Sequence, residues 1–314
     1  MKFLLPFITA IVSLSIVTAT PVLWDGRAPL NLTVADLDSS IGPFLTVVKG
    51  SETASHYASL GGDSQIPTPL WTGSDTTPTE QVVSISIDNS SVFVPGGSQP
   101  QLGFRRTDFI AANNGVHDQT LFDSLETGVT EFHFSVKADT TRPLNFSHEY
   151  QVVWIEPNDG SHVFDLQIGS PFTNPTGQLP SPGAHDLKIR DHAGNVLFRT
   201  DFTSTSWHNF AVQVDWTSRS LAVLYSADNA SLQVVTQPTP NLSATGGSAG
   251  QGDYHFGVLK LPLVNSADSP SNQNDVVHFG IQEGTTEALL YSGVFVENTS
   301  GGVSVGNGAV TNPF

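Results

Sequence analysis

Alternation of apolar and polar side chains with a period of two constrains this chain more than any other feature. Val83, Ile85 and Ile87 alternate with serines, and Phe132 and Phe134 alternate with polar residues in the same way. Successive side chains of a β-strand point to opposite faces, so this period predicts strands that each bury one face. Beyond the first 19 residues no segment keeps a helical period. The pattern therefore predicts an all-β protein.

The strand candidates are separated by turn sequences such as Asn158-Asp159-Gly160 and the Gly-rich stretch 246–250. About a dozen strands with such turns predict two packed antiparallel sheets, of which a β-jelly roll is the commonest large version. We expect one sheet to be concave and to form a groove that holds a polymer. The further strand candidates are 148–156, 162–169, 186–190, 208–216, 220–226, 253–261, 276–282 and 288–297.

The two ends of the chain predict its domain organisation. Residues 1–19 combine a lysine with an apolar run and small residues near Ala19, which is typical of a cleaved secretory signal peptide. We expect a secreted, extracellular protein with one β-jelly-roll domain over 20–298 and a flexible tail over 299–314. Six Asn-x-Ser/Thr sequons predict surface glycosylation: Asn31, Asn89, Asn145, Asn229, Asn241 and Asn298.

The composition disfavours several classes of partner. The chain has no cysteine, so a secreted form depends on apolar burial and sheet hydrogen bonds for its stability. Its formal net charge of -17 disfavours nucleic acid, anionic membranes and polyanionic substrates. The histidines lack the spacing of zinc sites, and no phosphate-binding glycine loop occurs. We therefore expect a monomer without cofactor, metal, nucleic acid or membrane.

A charged pair lies within an otherwise apolar strand candidate. In the alternation of a strand, Arg106 and Asp108 project together, whereas Arg105 and Thr107 project to the other face. A nearby cation favours an ionised carboxylate, so this pair is suited to hold a sugar hydroxyl or to tune a catalytic acid. The alternative is a buried structural ion pair.

The strand candidate 148–156 carries a polar row as well. The alternation places Glu149 and Gln151 on one face and Tyr150, Val152 and Trp154 on the other. A row of carboxylate and amide side chains on a concave sheet suits a polysaccharide.

Other candidate site residues have structural alternatives. In the strand near residue 255, Tyr254 and Lys260 share one face and His255 lies on the other. His208 shares a face with apolar residues, which favours a structural role at least as much as a catalytic one. Trp71 lies in a long Ser/Gly/Thr/Pro-rich segment from about residue 50 to 80. It is either a sugar-stacking platform or an anchor of that loop.

Five motifs, taken in order, resemble fungal glycoside hydrolase family 131. The resemblance spans nearly the whole chain after the leader and implies a secreted β-jelly-roll enzyme that acts on β-glucans with β-1,3, β-1,6 or β-1,4 linkages. The motifs are Phe104-Arg105-Arg106-Thr107-Asp108, Arg142-Pro143-Leu144-Asn145-Phe146-Ser147-His148-Glu149-Tyr150-Gln151, Trp207-His208-Asn209-Phe210, Tyr254-His255-Phe256-Gly257-Val258-Leu259-Lys260 and Tyr291-Ser292-Gly293-Val294-Phe295-Val296-Glu297.

This resemblance implies that the catalytic carboxylate pair is Asp108 and Glu149. Glycoside hydrolysis needs two carboxyl groups, one to protonate the leaving oxygen and one to activate water or attack carbon. The family pattern has Glu in an Arg-x-Glu setting where this chain has Asp108, which withdraws the carboxylate by about 1 Å. We expect His208 to join the catalytic set, and the expected substrate-binding residues are Arg106, Gln151, His255, Lys260 and Trp71.

Two other functions remain open at this point. Arg106-Thr107-Asp108-Phe109 also resembles a strand of the jelly-roll alginate lyases, although the Gln-Ile/Val-His motif of those enzymes is missing. The second alternative is a non-catalytic glucan-binding protein of the cell wall, since fold does not fix function.

Overall fold

The computed structural model describes residues 20–61, 65–72, 77–96, 98–172, 178–245 and 252–314. The expected signal peptide and the 246–250 turn lie outside the described residues. The elements are β1 (Val22–Asp25), α1 (Val34–Asp38), β2 (Phe44–Val48), α2 (Ala54–Tyr57), β3 (Ala58–Leu60), β4 (Val83–Ile87), β5 (Arg105–Ala111), α3 (Gln119–Leu125), β6 (Val129–Ala138), β7 (Glu149–Pro157), β8 (Phe164–Gly169), β9 (Asp186–Asp191), β10 (Val196–Asp201), β11 (His208–Asp215), β12 (Ser220–Ala227), β13 (Gln233–Pro240), β14 (Gly252–Lys260), α4 (Pro270–Asn274), β15 (Glu287–Asn298), β16 (Val303–Gly306) and β17 (Ala309–Thr311).

The strands form two large antiparallel sheets and one hairpin. The eight-stranded sheet, here called the outer sheet, has the order β13-β12-β11-β6-β15-β4-β3, with β1 also paired to β15. The seven-stranded sheet, here called the groove sheet, has the order β10-β9-β8-β7-β14-β5-β2. Strands β16 and β17 pair with each other. The prediction of an all-β jelly roll with two packed sheets is confirmed.

Aromatic side chains from both sheets fill the core between them. Phe132 of the outer sheet contacts Tyr254 and Phe164 of the groove sheet, with ring centroids 4.9 and 5.9 Å apart. On the groove sheet, Phe109 and Phe256 also point inward and contact each other edge to face. Burying such a side chain contributes about 1.5–3 kcal/mol. This core therefore supplies the stability that a chain without disulfides needs.

A β-bulge in β7 changes which residues face the core. The register between β7 and β8 shifts between Gln151 and Val153, so Val152 and Val153 both lie in the core cluster. Beyond the bulge Trp154 faces away from the core and stacks on His255 of β14. The expectation that Trp154 lies opposite Glu149 is therefore wrong, because one extra residue inverts the alternation.

The outer face of the outer sheet is covered by protein. Leu70, from the 65–72 segment, forms a cluster with Leu224 of β12 and with Val303 and Val305 of β16. Within the expected tail, residues 303–311 form the β16–β17 hairpin, in which Val303 and Val305 are buried. The segment that carries Trp71 covers the outer sheet and not the groove.

Short or marginal elements were the hardest to predict. The helices α1 to α4 span four to seven residues each, which is too short for a helical period to appear. The expected strand at 276–282 is instead irregular, with a single bridge from Ile281 to Leu263. In the described part of the chain no helix is long and apolar enough to cross a membrane.

The sequons differ in accessibility. Asn31, Asn89 and Asn229 are exposed, so glycosylation there remains a prediction. Asn241 is 3% exposed, and its side chain accepts a hydrogen bond from the His192 backbone and donates one to the Val163 carbonyl. The prediction of a surface site at Asn241 is therefore wrong. Asn145 and Asn298 are half-buried.

A buried acid beneath the 65–72 segment gives a testable pH dependence. Glu80 accepts hydrogen bonds from Gly293 N and Ser292 Oγ, each at 3.0 Å. Burial nevertheless raises the pKa of Glu80 from its usual 4.5 to about 7. The unfolded chain loses this proton near pH 4.5 and the folded chain keeps it, so the free energy of unfolding falls as the pH rises from 4.5 to 7.

We expect a Glu80→Gln variant, which does not titrate, to lack most of this decline. Its stability relative to the parent protein should therefore be greater at pH 8 than at pH 4, by roughly 2–3 kcal/mol. Denaturant unfolding at both pH values measures the difference, with Glu52→Gln as an exposed control. An identical pH slope in the Glu80→Gln variant and its parent would contradict the prediction.

Candidate active site

Side chains that point away from the core on the groove sheet line a cavity of about 640 Å³. They come from the central strands β5, β7, β8, β9 and β14 and from the loops that follow them. This cavity, here called the groove, lies on the face of the seven-stranded sheet that points away from the core. Its lining includes Arg106, Glu149, Gln151, Glu156, Asp165 and Arg190, with Phe104, Phe172, Leu259 and Leu261 as apolar members.

Arg106 lies between two carboxylates at one end of the groove. Its Nε donates to Asp108 Oδ1 at 2.7 Å, and its Nη2 donates to Glu156 Oε2 at 2.8 Å. Its guanidinium also lies over the ring of Trp154, 5.3 Å from the ring centroid. Burial disfavours the charge, but the two acids outweigh this cost and raise the pKa of Arg106 above its usual value. Arg106 is thus a fixed cation.

Asp108 is fully enclosed behind Arg106. Its Oδ2 lies 2.6 Å from His255 Nδ1, so each of its oxygens has a partner, and its exposed fraction is 0%. His255 is itself buried, between Asp108 and the ring of Trp154. The sequence placed Asp108 and Arg106 on the same face of one strand, and the structure adds His255 of β14 to this pair. In this structure, however, Asp108 contacts these two side chains and has no surface on the groove.

Glu156 is the exposed carboxylate of this cluster, with 24% of its side chain accessible. Its Oε2 also accepts a hydrogen bond from Trp154 Nε1 at 3.0 Å, and His255 Nε2 lies 3.9 Å away. Burial opposes its ionisation, but Arg106 and His255 reverse the effect and lower the pKa of Glu156 to about 2. Glu156 is therefore ionised throughout the ordinary pH range.

Glu149 belongs to a second arginine-centred cluster. Its Oε1 lies 2.9 Å from Arg190 Nη1, and its Oε2 accepts a hydrogen bond from the Phe172 backbone. Arg190 also binds Asp165 through Nε and Nη2, at 2.8 and 2.7 Å. The two acids outweigh the burial of Arg190 and raise its pKa. Gln151, the next groove-facing residue on β7, lies on the same face as Glu149, as the alternation predicted.

The structure does not bring Lys260 into the groove. Lys260 shares the inner face with Tyr254, as expected, and is 1% exposed. Its Nζ binds Glu283 and Glu287, both at 2.7 Å. Hydrogen bonds from Lys260 and His148 overcome the cost of burial and lower the pKa of Glu283 to about 2. This arrangement is a structural ion-pair network beneath the groove sheet.

His208 and Trp71 lie far from the groove as well. His208 is on β11 of the outer sheet, where its Nδ1 lies 2.9 Å from the hydroxyl of Tyr225, and burial lowers its pKa. Trp71 packs on the outer face of the same sheet, against His133 and Phe295. Both positions correspond to the structural alternatives for these residues, so neither is retained as a site candidate.

Sequence reasoning missed several groove residues. The alternation places Glu156 on the core face of β7, but the bulge between Gln151 and Val153 turns it toward the groove. Asp165 and Arg190 occur in strands whose polar positions resemble an ordinary solvent face. Only the pairing of β8 with β7 and β9 shows that these charges lie beside Glu149. The available signal in the sequence was the presence of acidic residues in the strand candidates 148–156 and 162–169.

A jelly roll with paired acids in a groove on one sheet is an arrangement that suits the class of polysaccharide-cleaving enzymes. Within that class, the chain belongs to glycoside hydrolase family 131. The family model for the glycoside hydrolase 131 catalytic N-terminal domain matches residues 22–302. The protein is thus a glycoside hydrolase by family, as the motifs implied.

Two solved structures share this fold over almost their whole length. One is a family 131 β-glucanase catalytic domain from Podospora anserina, with a TM-score of 0.66 and 22% identity, covering 92% of this chain and 99% of that one. The other is the catalytic domain of a family 131 protein from Coprinopsis cinerea, with a TM-score of 0.65 and 23% identity, covering 92% and 100%. No curated protein matches the chain.

Proposed function

We propose that this protein is a β-glucanase that hydrolyses the glycosidic bonds of a β-glucan held in the groove. The observation that carries the proposal is the pair of arginine-centred acid clusters on the groove sheet of a family 131 domain. The Podospora anserina domain of the same fold is described as a β-glucanase, which supports this substrate class.

Glu149 is the proposed catalytic carboxyl group. It lines the groove, and Arg190 and the Phe172 backbone fix its orientation. In hydrolysis, one carboxyl protonates the leaving oxygen and another activates the attacking water or attacks the anomeric carbon. Glu149 is proposed for one of these roles, and Asp165, which lines the groove and shares Arg190 with Glu149, is proposed for the other. Asp108 acts in this proposal through Arg106 and His255, which it holds in place, and Gln151 binds sugar hydroxyls.

The charge balance of the groove favours a neutral glucan over a polyuronate. A lyase must neutralise the carboxylate of a uronate, commonly with an arginine. Here Arg106 and Arg190 each already contact two acids, namely Asp108 with Glu156 and Asp165 with Glu149. The four acids outnumber the two arginines, so a uronate would meet net negative charge.

Secretion and a monomeric state are also part of the proposal. The apolar leader supports export, and the net charge of -17 favours solubility outside the cell. Size-exclusion chromatography of the protein recovered from culture medium tests both points.

We expect the purified protein to release new reducing ends from at least one of laminarin, pustulan, lichenan and carboxymethyl cellulose. Alginate, incubated in parallel, should yield no unsaturated product absorbing in the ultraviolet. Ultraviolet-absorbing product from alginate would instead indicate a lyase. Tight binding of a glucan without any product would indicate a non-catalytic binding protein.

A further inference from the structure

Arg106 and Glu156 together offer one free donor and one free acceptor to the groove. Within the described residues, Arg106 Nη1 has no hydrogen-bond partner, since the bonds of this side chain come from Nε and Nη2. Glu156 Oε1 likewise has none, because both of its bonds are made by Oε2. The two side chains are joined by the 2.8 Å bond between Nη2 and Oε2.

Buried neighbours hold this donor and acceptor rigidly. Asp108 fixes the Nε edge of Arg106, and Trp154 supports both its guanidinium and the carboxylate of Glu156. Trp154 in turn stacks with His255 and with His162, at centroid distances of 5.1 and 5.6 Å. A site built in this way loses little side-chain entropy when it binds a ligand.

The chemistry of the pair matches a neutral sugar ring. Each sugar hydroxyl both donates and accepts, so neighbouring hydroxyls can accept from Nη1 and donate to Oε1. Hydrogen bonds to charged groups are the stronger ones. A carboxylate at carbon 6 of the ring would instead repel Glu156.

Glu156 and Glu149 belong to different clusters within the same groove. Glu149 is the first residue of β7 and Glu156 lies near its end, and each binds its own arginine, Arg106 for Glu156 and Arg190 for Glu149. This separation suits a role of Glu156 in binding a sugar ring, with Glu149 kept for the cleavage step.

We propose that Glu156 and Arg106 form a specificity subsite that binds the hydroxyls of a neutral hexose unit and excludes carboxylated units, with Asp108 as the positioning residue behind it. This inference rests on the proposed function, because it assumes that a glucan lies in the groove. It concerns binding and selectivity, whereas the proposed function concerns bond cleavage.

The test compares the affinities for laminarin and for laminarin oxidised to the carboxylate at carbon 6. Calorimetry is done in a Glu149→Gln background, so that the polymer is not consumed. With Glu156 present, neutral laminarin should bind at least about tenfold more tightly than the oxidised polymer. Glu156→Gln should weaken laminarin binding by about tenfold or more and abolish the preference, because the charge that repels the carboxylate is removed while Arg106 keeps Asp108 as its partner.

Two control variants separate this role from a general effect of charge or folding. Asp159→Asn removes one negative charge from the exposed turn beside the groove, and we expect it to change the preference by less than about twofold. Glu156→Asp retains the charge and should keep the preference for the neutral polymer. Thermal melts establish that each variant is folded.

An unchanged preference in a folded Glu156→Gln variant would overturn the inference, as would the absence of binding to either polymer. If the parent protein hydrolyses glucan but the Glu156→Gln variant keeps the preference for neutral laminarin, the subsite is wrong and the proposed function stands. If the parent protein cleaves no glucan but Glu156→Gln abolishes the preference, the proposed hydrolysis is wrong and the subsite stands.

Discussion

Replacing Glu149 with glutamine is expected to lower the turnover number for glucan hydrolysis by at least about a hundredfold, the contribution of one acid or base group. Glutamine has the same shape but cannot exchange a proton. Reducing ends released from the best glucan substrate, measured over a range of substrate concentrations, separate the loss in kcat from any change in KM.

Both carboxylate oxygens of Glu149 have a donor, Arg190 and the Phe172 backbone. Glu149→Gln replaces one of these oxygens with an NH2 group, which cannot accept a hydrogen bond, so its effect on folding needs a control. The melting temperature of the variant reports this effect, and Asp159→Asn provides a matched charge change outside the groove. A folded Glu149→Gln variant with the parent kcat would show that Glu149 is not catalytic.

Replacing Arg106 with methionine is expected to lower the free energy of unfolding by about 3–5 kcal/mol, because it leaves the charges of Asp108 and Glu156 without their cation. Arg106 is 7% exposed, and both partners contact it directly. The loss in the free energy of unfolding caused by Arg106→Met should also depend on pH. The pKa of Glu156 is lowered from 4.5 to about 2, so the ionised carboxylate contributes fully above pH 4.5 and progressively less as the pH falls toward 2.

Urea unfolding at neutral pH and near pH 3 measures this loss. Arg199→Met is the matched control, because Arg199 is 71% exposed and lies 4.0 Å from Asp186; we expect a change of no more than about 1 kcal/mol. Adding Asp108→Asn to Arg106→Met should restore part of the stability. An Arg106→Met variant as stable as the parent would show that the cluster does not depend on this cation.

The local alternation of side chains was enough to predict most strands and many of their faces. Arg106 and Asp108 project from the same face of the groove sheet, as the period of two requires. Glu149 and Gln151 also share that face. His255 and Lys260 lie on opposite faces of β14, again as expected. These predictions succeeded because a regular strand fixes side-chain direction by residue parity alone.

The alternation failed where the backbone is irregular or where a contact is long-range. The bulge between Gln151 and Val153 turns Trp154 and Glu156 toward the groove, and no composition signal marks it. Likewise, parity cannot say which sheet a strand joins, so it could not place His208 on the outer sheet.

The all-β class, the jelly roll, the family and the acids and arginines available for chemistry could thus be predicted from the sequence alone. The enclosure of Asp108, the position of Glu156 in the groove, and the link that Arg190 makes between Glu149 and Asp165 are seen in the folded protein. The physical reason is that parity is a local property of one strand. Strand pairing, bulges and the burial of a charge instead depend on residues that are distant in the chain.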